Sequence, residues 1–424
     1  MKNYTYCVRL LLLLWVFFIS LNTNAQFVEK SLTASNGVNI GFYQYTPADY
    51  NTNTKYPLII FLHGLGERGN GTTELSLVKK IAIPKYIDRG HPMRFYWNGK
   101  WETFLVLAPQ LSKSYGSWQN FYTEEMLKYA KANLSVDQDR IFLTGLSLGG
   151  GGTWTFASSN NTNVSQLAGI AVVCGTCNMS NATHLVNNNI PVWAFHAEND
   201  GTVGASCTHN AINKINSLNP IVKPIKTTWP TGGHGIWDRS YDTAYKWQNP
   251  NVFEWFLAQN RKFAPNVLPQ ANAGADKEIA LNETTQLEGT NSKDTDGNIV
   301  KYNWTYLTGP VKPAIAQEFN AKTAVSGFSK TGVYSFQLKV IDNRAGWAYD
   351  TVNITVTEKA PPQNNAPVAN AGNDLTITLP DNSVELDGSN SSDDKAISTY
   401  QWKQVSGPNG AVIQTVNSAK TNIT

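Results

Sequence analysis

Ser147 has the clearest setting for chemistry in this chain. It stands in "RIFLTGLSLGGGGTW", Arg140 to Trp154, between an apolar run and four consecutive glycines. A serine hydroxyl is a weak nucleophile until an adjacent base takes its proton. The spacing Gly145, Ser147, Gly149 is Gly-x-Ser-x-Gly, a pattern that lifts the hydroxyl onto a sharp strand-to-helix turn. Small neighbours avoid collisions in such a turn. A helix starting behind the serine aims its positive end at the hydroxyl and at any oxyanion formed beside it. The chemistry such a group does is acyl transfer.

That chemistry needs an acid and a base, in the chain order nucleophile, acid, base. Beyond a candidate acid, the only histidines are His209 and His234. His234 lies in "TGGHGIWD", where small flanking residues let an imidazole approach a neighbouring loop, and it is the expected base. His209 lies in "SCTHNAINKINSL", a helical pattern in which a solvated or packed histidine is the ordinary reading. The acid should follow the strand "IPVWAFHA"; "HAENDGTV" offers Asp200, which opens a turn with Gly201, and Glu198 as the alternate. Asp238 is read as a helix cap. The oxyanion needs two backbone donors, expected from Leu148, next after the nucleophile, and from Leu65 in "LHGLGERGNG", where His63 is read as locking the turn by hydrogen bonds.

The elements around these residues alternate. "YPLIIFLHG", "ETFLVLAPQ", "RIFLTG", "LAGIAVVC" and "IPVWAFHA" read as buried strands, and "TEEMLKYAKANL" as a helix with Thr123 at its N-cap. Strands apolar on both faces and separated by helices indicate an α/β fold with a parallel sheet covered on both sides. After Arg261 the helical pattern stops, and short alternating segments such as "VYSFQLKVID" and "DTVNITV" indicate an all-β sandwich. This part repeats: "PQANAGAD" at Pro269 returns as "PVANAGND" at Pro367, and Trp304 as Trp402, both with a shift of 98 residues. So long a period means tandem domains rather than a solenoid. Counterparts of the closing strands, Val333 to Val356, would lie past Thr424, so the second copy is expected to be truncated.

The N-terminus has Lys2 and Arg9, an apolar run from Leu10 to Leu21, and a small-residue exit at Ala25. This reads as a secretory signal peptide over residues 1–25, because 12 apolar residues fall short of the roughly 20 that span a bilayer. A secreted or cell-surface location follows, with no membrane segment after cleavage. The formal charge is +3 with signs mixed along the chain, and no basic stripe indicates a nucleic-acid partner. Once Cys7 has left with the leader, Cys174, Cys177 and Cys207 remain, an odd number in an oxidising compartment. A lone C-x-x-C pair is a poor zinc site. One disulfide is expected, from Cys207 to Cys177 or Cys174. Cys177 is favoured because it lies further along the loop leaving its strand.

The combination "FLHGLGERG", "LAPQ", "VDQDRIFLTGLSLGGGGTW", "HAENDGTV" and "GGHGIW" resembles secreted α/β-hydrolases of the carbohydrate-esterase type, including feruloyl and acetylxylan esterases and relatives labelled predicted peptidases. The resemblance runs from about Tyr43 to Leu257. It implies Ser147 as nucleophile, Asp200 as acid and His234 as base, with acyl-enzyme chemistry that uses neither metal nor cofactor. The repeats resemble PKD-like, Ig-fold modules but lack "DFGDG" after the tryptophan, so only the architecture carries over. The expected layout is an α/β-hydrolase domain at 26–262, a linker at 263–268, a PKD-like sandwich at 269–357, a linker at 358–366 and a truncated repeat at 367–424.

Only about 15 residues separate Cys174 from Ile190, too few for a lipase lid, which suits an acyl group on a bulky polymer. Trp118 and Trp237 fall in loops at the expected catalytic edge and are candidates to stack on a sugar or aromatic acyl group. The expected partner is plant cell-wall polysaccharide or another ester substrate, met by a monomer. Two alternatives stand beside this reading. One is a hydrolase of other esters, polyesters or peptides; the other is a binding or adhesion protein with an inactive fold.

Overall fold

Strands whose side chains are buried in both directions need a layer on each face of their sheet. The computed structural model describes residues 25–245, 249–358 and 363–424, so the expected leader peptide falls outside the described residues apart from its last position. Eight strands form the main sheet: β1 (Gln26–Thr33), β2 (Asn39–Thr46), β3 (Tyr56–Leu62), β4 (Leu105–Pro109), β5 (Val136–Leu146), β6 (Gly169–Val173), β7 (Val192–Ala197) and β8 (Ile225–Trp229). Their order is β1-β2-β4-β3-β5-β6-β7-β8. From β4 to β8 every neighbouring pair is parallel, while β1–β2 and β2–β4 are antiparallel.

β3, β4, β6 and β7 are buried at every residue, as their continuous apolar runs demand. One face carries Phe61, Phe104, Phe142, Phe195 and Trp255. The other carries Leu62, Leu143, Trp154, Ile170 and Val172. The helices that matter for the site are α1 (Asn120–Asn133), α2 (Leu148–Ala157), α3 (Ser206–Asn216) and α4 (Val252–Leu257). α1 starts before Thr123: its N-cap is Gln119, and Thr123 is a buried helical residue. Tyr122, which belongs to the apolar stripe, is fully buried, so the packed face extends the helix past the polar capping signal.

The first sandwich has strands β9 (Thr285–Glu288), β10 (Ile299–Thr308), β11 (Ala314–Ile315), β12 (Lys322–Ser326), β13 (Gly332–Asp342) and β14 (Trp347–Thr357). One sheet contains β14-β13-β10, the other β9-β12-β11, and Trp304, Val325, Phe336 and Leu338 are buried between them. The outer face of the larger sheet is docked on the α/β layer, and both belong to one compact unit. Trp97 Nε1 donates to Asn343 O at 2.9 Å, Lys301 pairs with Glu254 of α4 at 2.7 Å, and Lys339 Nζ donates to Asn249 O at 2.6 Å. Trp347 packs against Trp193 of β7 with ring centroids 6.0 Å apart.

The second unit, which takes in residues 356–424, has strands β15 (Val384–Asp387) and β16 (Lys420–Ile423), paired antiparallel. The internal repeat reappears in its hydrogen bonds. Trp304 Nε1 donates to Asn320 O at 3.1 Å and Trp402 Nε1 to Ser418 O at 2.9 Å, each donor and acceptor shifted by 98 residues (304 to 402, 320 to 418).

Separating the docked layers exposes Trp97 and Trp193, each only 3% exposed in the structure. Burial of a large apolar side chain is worth about 1.5–3 kcal/mol. A chain from Gln26 to Ala264 is therefore expected to melt about 5 °C or more below one from Gln26 to Thr357. Calorimetry on the two chains checks this, and equal melting temperatures would contradict the docking.

Candidate active site

The turn from β5 into α2 sets the position of Ser147. Its backbone has φ 52° and ψ −118°, a conformation unusual for a residue with a side chain. Its N–H donates to Val173 O at 2.9 Å, tying the turn to β6. A Cβ on Gly149 would meet Leu62 O at 2.0 Å, and one on Gly145 would meet Gly149 O at 2.4 Å. The next three glycines do similar work: added Cβ atoms would approach Gly175 Cα at 2.6 Å, Thr176 Oγ1 at 1.8 Å and Trp118 Cβ at 2.5 Å. Four glycines in a row thus let one helix start press against the ends of β3 and β6 and the Trp118 loop.

Ser147 Oγ lies 2.8 Å from His234 Nε2, and His234 Nδ1 lies 2.7 Å from Asp200 Oδ2. His234 follows β8 and Asp200 follows β7, so adjacent parallel strands deliver both to the same sheet edge. The two loops are joined directly, since Gly233 N–H donates to Asn199 Oδ1 at 2.9 Å. Asp200 is buried, and Oδ1 accepts from Thr202 and Val203 N–H, both at 2.9 Å. Burial pushes its carboxyl up, but the hydrogen bonds from His234, Val203 and Thr202 together hold it below the usual range. The arrangement can take a proton from a serine hydroxyl and hold the resulting imidazolium against a carboxylate.

The alternates fall elsewhere. Glu198 pairs with His209 at 3.0 Å, and Lys226 Nζ lies 3.0 Å from the other ring nitrogen, an exposed cluster away from the serine. Asp238 accepts from Tyr86 Oη at 2.6 Å and from Lys85, so it bridges elements rather than capping the helix. Leu148 is the first residue of α2, where helix geometry leaves amide N–H groups without intrahelical partners. Leu65 opens a short turn after β3 with its side chain 55% exposed.

Trp118 departs from the expectation of a substrate platform. It is 3% exposed, donates from Nε1 to His63 O at 3.1 Å and packs edge-on to the His63 and Tyr122 rings. Its large apolar body and one donor are both satisfied inside the loop, which leaves no face for a ligand. Trp237 is half-buried and edge-on to the His234 ring at 5.7 Å. His63 is fully buried; Nε2 accepts from Leu111 N–H at 3.0 Å and Nδ1 donates to Gly64 O at 2.7 Å, while burial lowers its pKa to about 4.

Cys177 and Cys207 form a disulfide, with Cα atoms 4.6 Å apart. Cys174 is a buried free thiol whose Sγ donates to His234 O at 3.4 Å; burial pushes its pKa up to about 12. Among the described residues Cys174, Asp200 and His234 bring ligand-type atoms within 4.8 Å of one another. The carboxylate and imidazole are bonded to each other, and the thiol is directed to the His234 carbonyl. The residue the motif reading missed is His196. It is fully buried near the end of β7, 3.2 Å from Asp200 Oδ2. The available sign was a lone polar residue in an otherwise apolar strand.

A family model described as "Putative esterase" matches residues 33–271, more than half of the chain, and a second model, of a PKD domain, matches 273–356 and 371–424. The fold is that of an α/β-hydrolase-type ester hydrolase with PKD modules. The chain belongs to the esterase family that the first model describes. A mouse relative, dyslexia-associated protein KIAA0319-like protein, is 39% identical over 32% of this chain, and the chain spans only 13% of that relative's length. A solved thermostable esterase is 25% identical with a TM-score of 0.41, covering 55% of this chain and 63% of that one. A mutant of the feruloyl esterase module from Clostridium thermocellum, complexed with sinapinate, is 16% identical with a TM-score of 0.38, covering 52% and 87%.

Two outcomes follow from this packing. Gly149→Ala is expected to lower folding stability by about 3 kcal/mol or more, since its Cβ would collide with backbone that cannot turn aside. Urea unfolding measures this. His63 has a depressed pKa, so its contribution is fully present above its unfolded value near 6.5 and is lost as pH falls towards about 4. Asp200, also depressed, works in the same direction at lower pH. Stability should therefore fall by roughly 3 kcal/mol between pH 7 and pH 4 from His63 alone, and His63→Gln should flatten that slope in a pH series of urea melts.

Proposed function

We propose that the chain is a secreted serine esterase that removes feruloyl or acetyl groups from plant polysaccharide. The observation that carries the mechanism is the continuous chain from Ser147 Oγ to His234 at 2.8 Å and from His234 to Asp200 at 2.7 Å. Ser147 Oγ attacks the ester carbonyl while His234 Nε2 takes its proton. The Leu148 and Leu65 amides receive the tetrahedral oxyanion, a contribution worth about 3–4 kcal/mol per donor. Asp200 holds the imidazole with Nε2 facing the serine and stabilises the imidazolium. His234 then returns the proton to the leaving alcohol, leaving an acyl-serine. Water, deprotonated by the same histidine, hydrolyses that intermediate and restores the enzyme.

Membership in the esterase family supports hydrolysis of esters, and the want of a covering segment supports a polymeric substrate. The segment between β6 and β7 holds one short helix, Thr183–Asn187, and is fastened by Cys177, with nothing of a lid's size. Trp237 beside His234 is the aromatic surface available to a feruloyl ring. A disulfide and PKD modules are features at home outside the cell. Among the described residues no helix is long and apolar enough to cross a membrane.

Ser147→Ala is expected to lower ester hydrolysis by about 10⁴-fold or more with an almost unchanged melting temperature. His234→Ala should match it, while His209→Ala should stay within about twofold of the parent, since its partners lie outside the site. A panel of acetylated xylan, methyl ferulate, short nitrophenyl esters and casein tests the substrate class. Release of acid from the xylan or ferulate supports the reading; cleavage of casein with neither would replace it by a peptidase.

A further inference from the structure

We infer that His196 is a positioning residue for the acid of this site, fixing the Asp200 carboxylate and moderating how strongly it supports the protonated form of His234. This rests on the triad reading above. His196 is fully buried in β7, four residues ahead of Asp200. Its Nε2 lies 2.8 Å from Val203 O and 3.2 Å from Asp200 Oδ2. A carbonyl only accepts, so Nε2 carries the proton and donates it to Val203 O, with Asp200 Oδ2 close beside the same N–H. Nδ1, 2.7 Å from Thr208 Oγ1, is then the acceptor for that hydroxyl, which sets the ring plane.

The carboxylate of Asp200 accepts from three groups, the Thr202 and Val203 N–H on Oδ1 and His234 Nδ1 on Oδ2, and the His196 N–H lies beside Oδ2 with N···O 3.2 Å. Val203 serves twice, through its N–H to Asp200 and its carbonyl to His196, so the turn and the imidazole hold each other in register. The positive end of the His196 N–H dipole beside Oδ2 draws negative charge away from the side facing His234. Loss of that donor lets the full charge act on the catalytic imidazole and makes its cation easier to form. The other titratable groups facing the pair are Cys174, held protonated by burial, and Tyr241, whose hydroxyl is buried and pushed up by desolvation. Glu198, next along from β7, is engaged with the exposed His209, and Arg239 behind His234 reaches Thr231 O.

The test is the pH profile of kcat/KM on nitrophenyl acetate for the full chain, with His196→Leu, His196→Gln, Thr208→Val and Ser147→Ala compared by melting temperature as well. His196→Leu should lower kcat about 10- to 100-fold with KM within about twofold, and move the acidic limb up by about half a pH unit. His196→Gln, which keeps an amide N–H near the Nε2 position, should recover most of both. If His196→Leu does not fold, Thr208→Val, which frees the ring without removing it, should move the same limb in the same direction. An unmoved limb with activity falling only as stability falls, or a Gln variant no better than Leu, would overturn the assignment. Hydrolysis by Ser147→Ala that stays near the parent's rate would instead overturn the triad reading, so the two failures are distinct.

Discussion

The strained backbone at Ser147 is the constraint around which the rest of the α/β layer is arranged. A residue with a side chain held at φ 52° and ψ −118° costs about 1–3 kcal/mol, and it persists only where the surroundings leave no alternative. Here the surroundings are the ends of three central strands. β5 carries the serine, β6 receives its N–H through Val173 O, and β3 presents Leu62 O where any Cβ on Gly149 would sit. The glycine run is thus a packing requirement, because it lets the helix start approach the ends of these strands.

A second set of contacts fixes the partners on the far side of the serine. The loops after β7 and β8 are linked by Asn199 to Gly233 and by Asp200 to His234, and Cys174, just after β6, donates to the His234 carbonyl. The disulfide joins the loop after β6 to the first turn of α3, and the residue after Cys207 is Thr208, the partner of His196. Ser147, Asp200 and His234 are each therefore held by contacts from outside the three. The first sandwich adds to this indirectly: Trp347 packs on Trp193, within the same strand β7 that ends at the acid turn.

Much of this was legible in the sequence, and the reasons differ by element. The five core strands declared themselves because a doubly covered strand must be apolar at every position. Ser147, Asp200 and His234 were readable from order and from small neighbours, and the geometry brings those three together. Their catalytic role is a matter for the mutants. Trp118 was misjudged because a tryptophan in a loop looks the same in sequence whether its N–H meets solvent or a carbonyl; only the His63 O partner decides it. His196 escaped because a buried histidine has no periodic or spacing signature and gains its meaning from Thr208 and Val203, residues that follow it in the chain. Strands β1 and β2 were passed over for a different reason. The polar alternation of "QFVEKSLT" is that of an edge, and it resembles loop until the neighbouring strand is known.

Cys174 has a use that its chemistry alone does not advertise. It is the one unpaired cysteine among the described residues, fully buried beneath the His234 loop, and its thiol is kept in the unreactive protonated form. A thiol reagent can reach it only when that floor opens. The rate of labelling, compared with the rate on the unfolded chain, then reports the free energy of opening at this one place, independent of global unfolding. The protein carries a native clock for local breathing under its His234 loop, readable by mass spectrometry on unmodified protein.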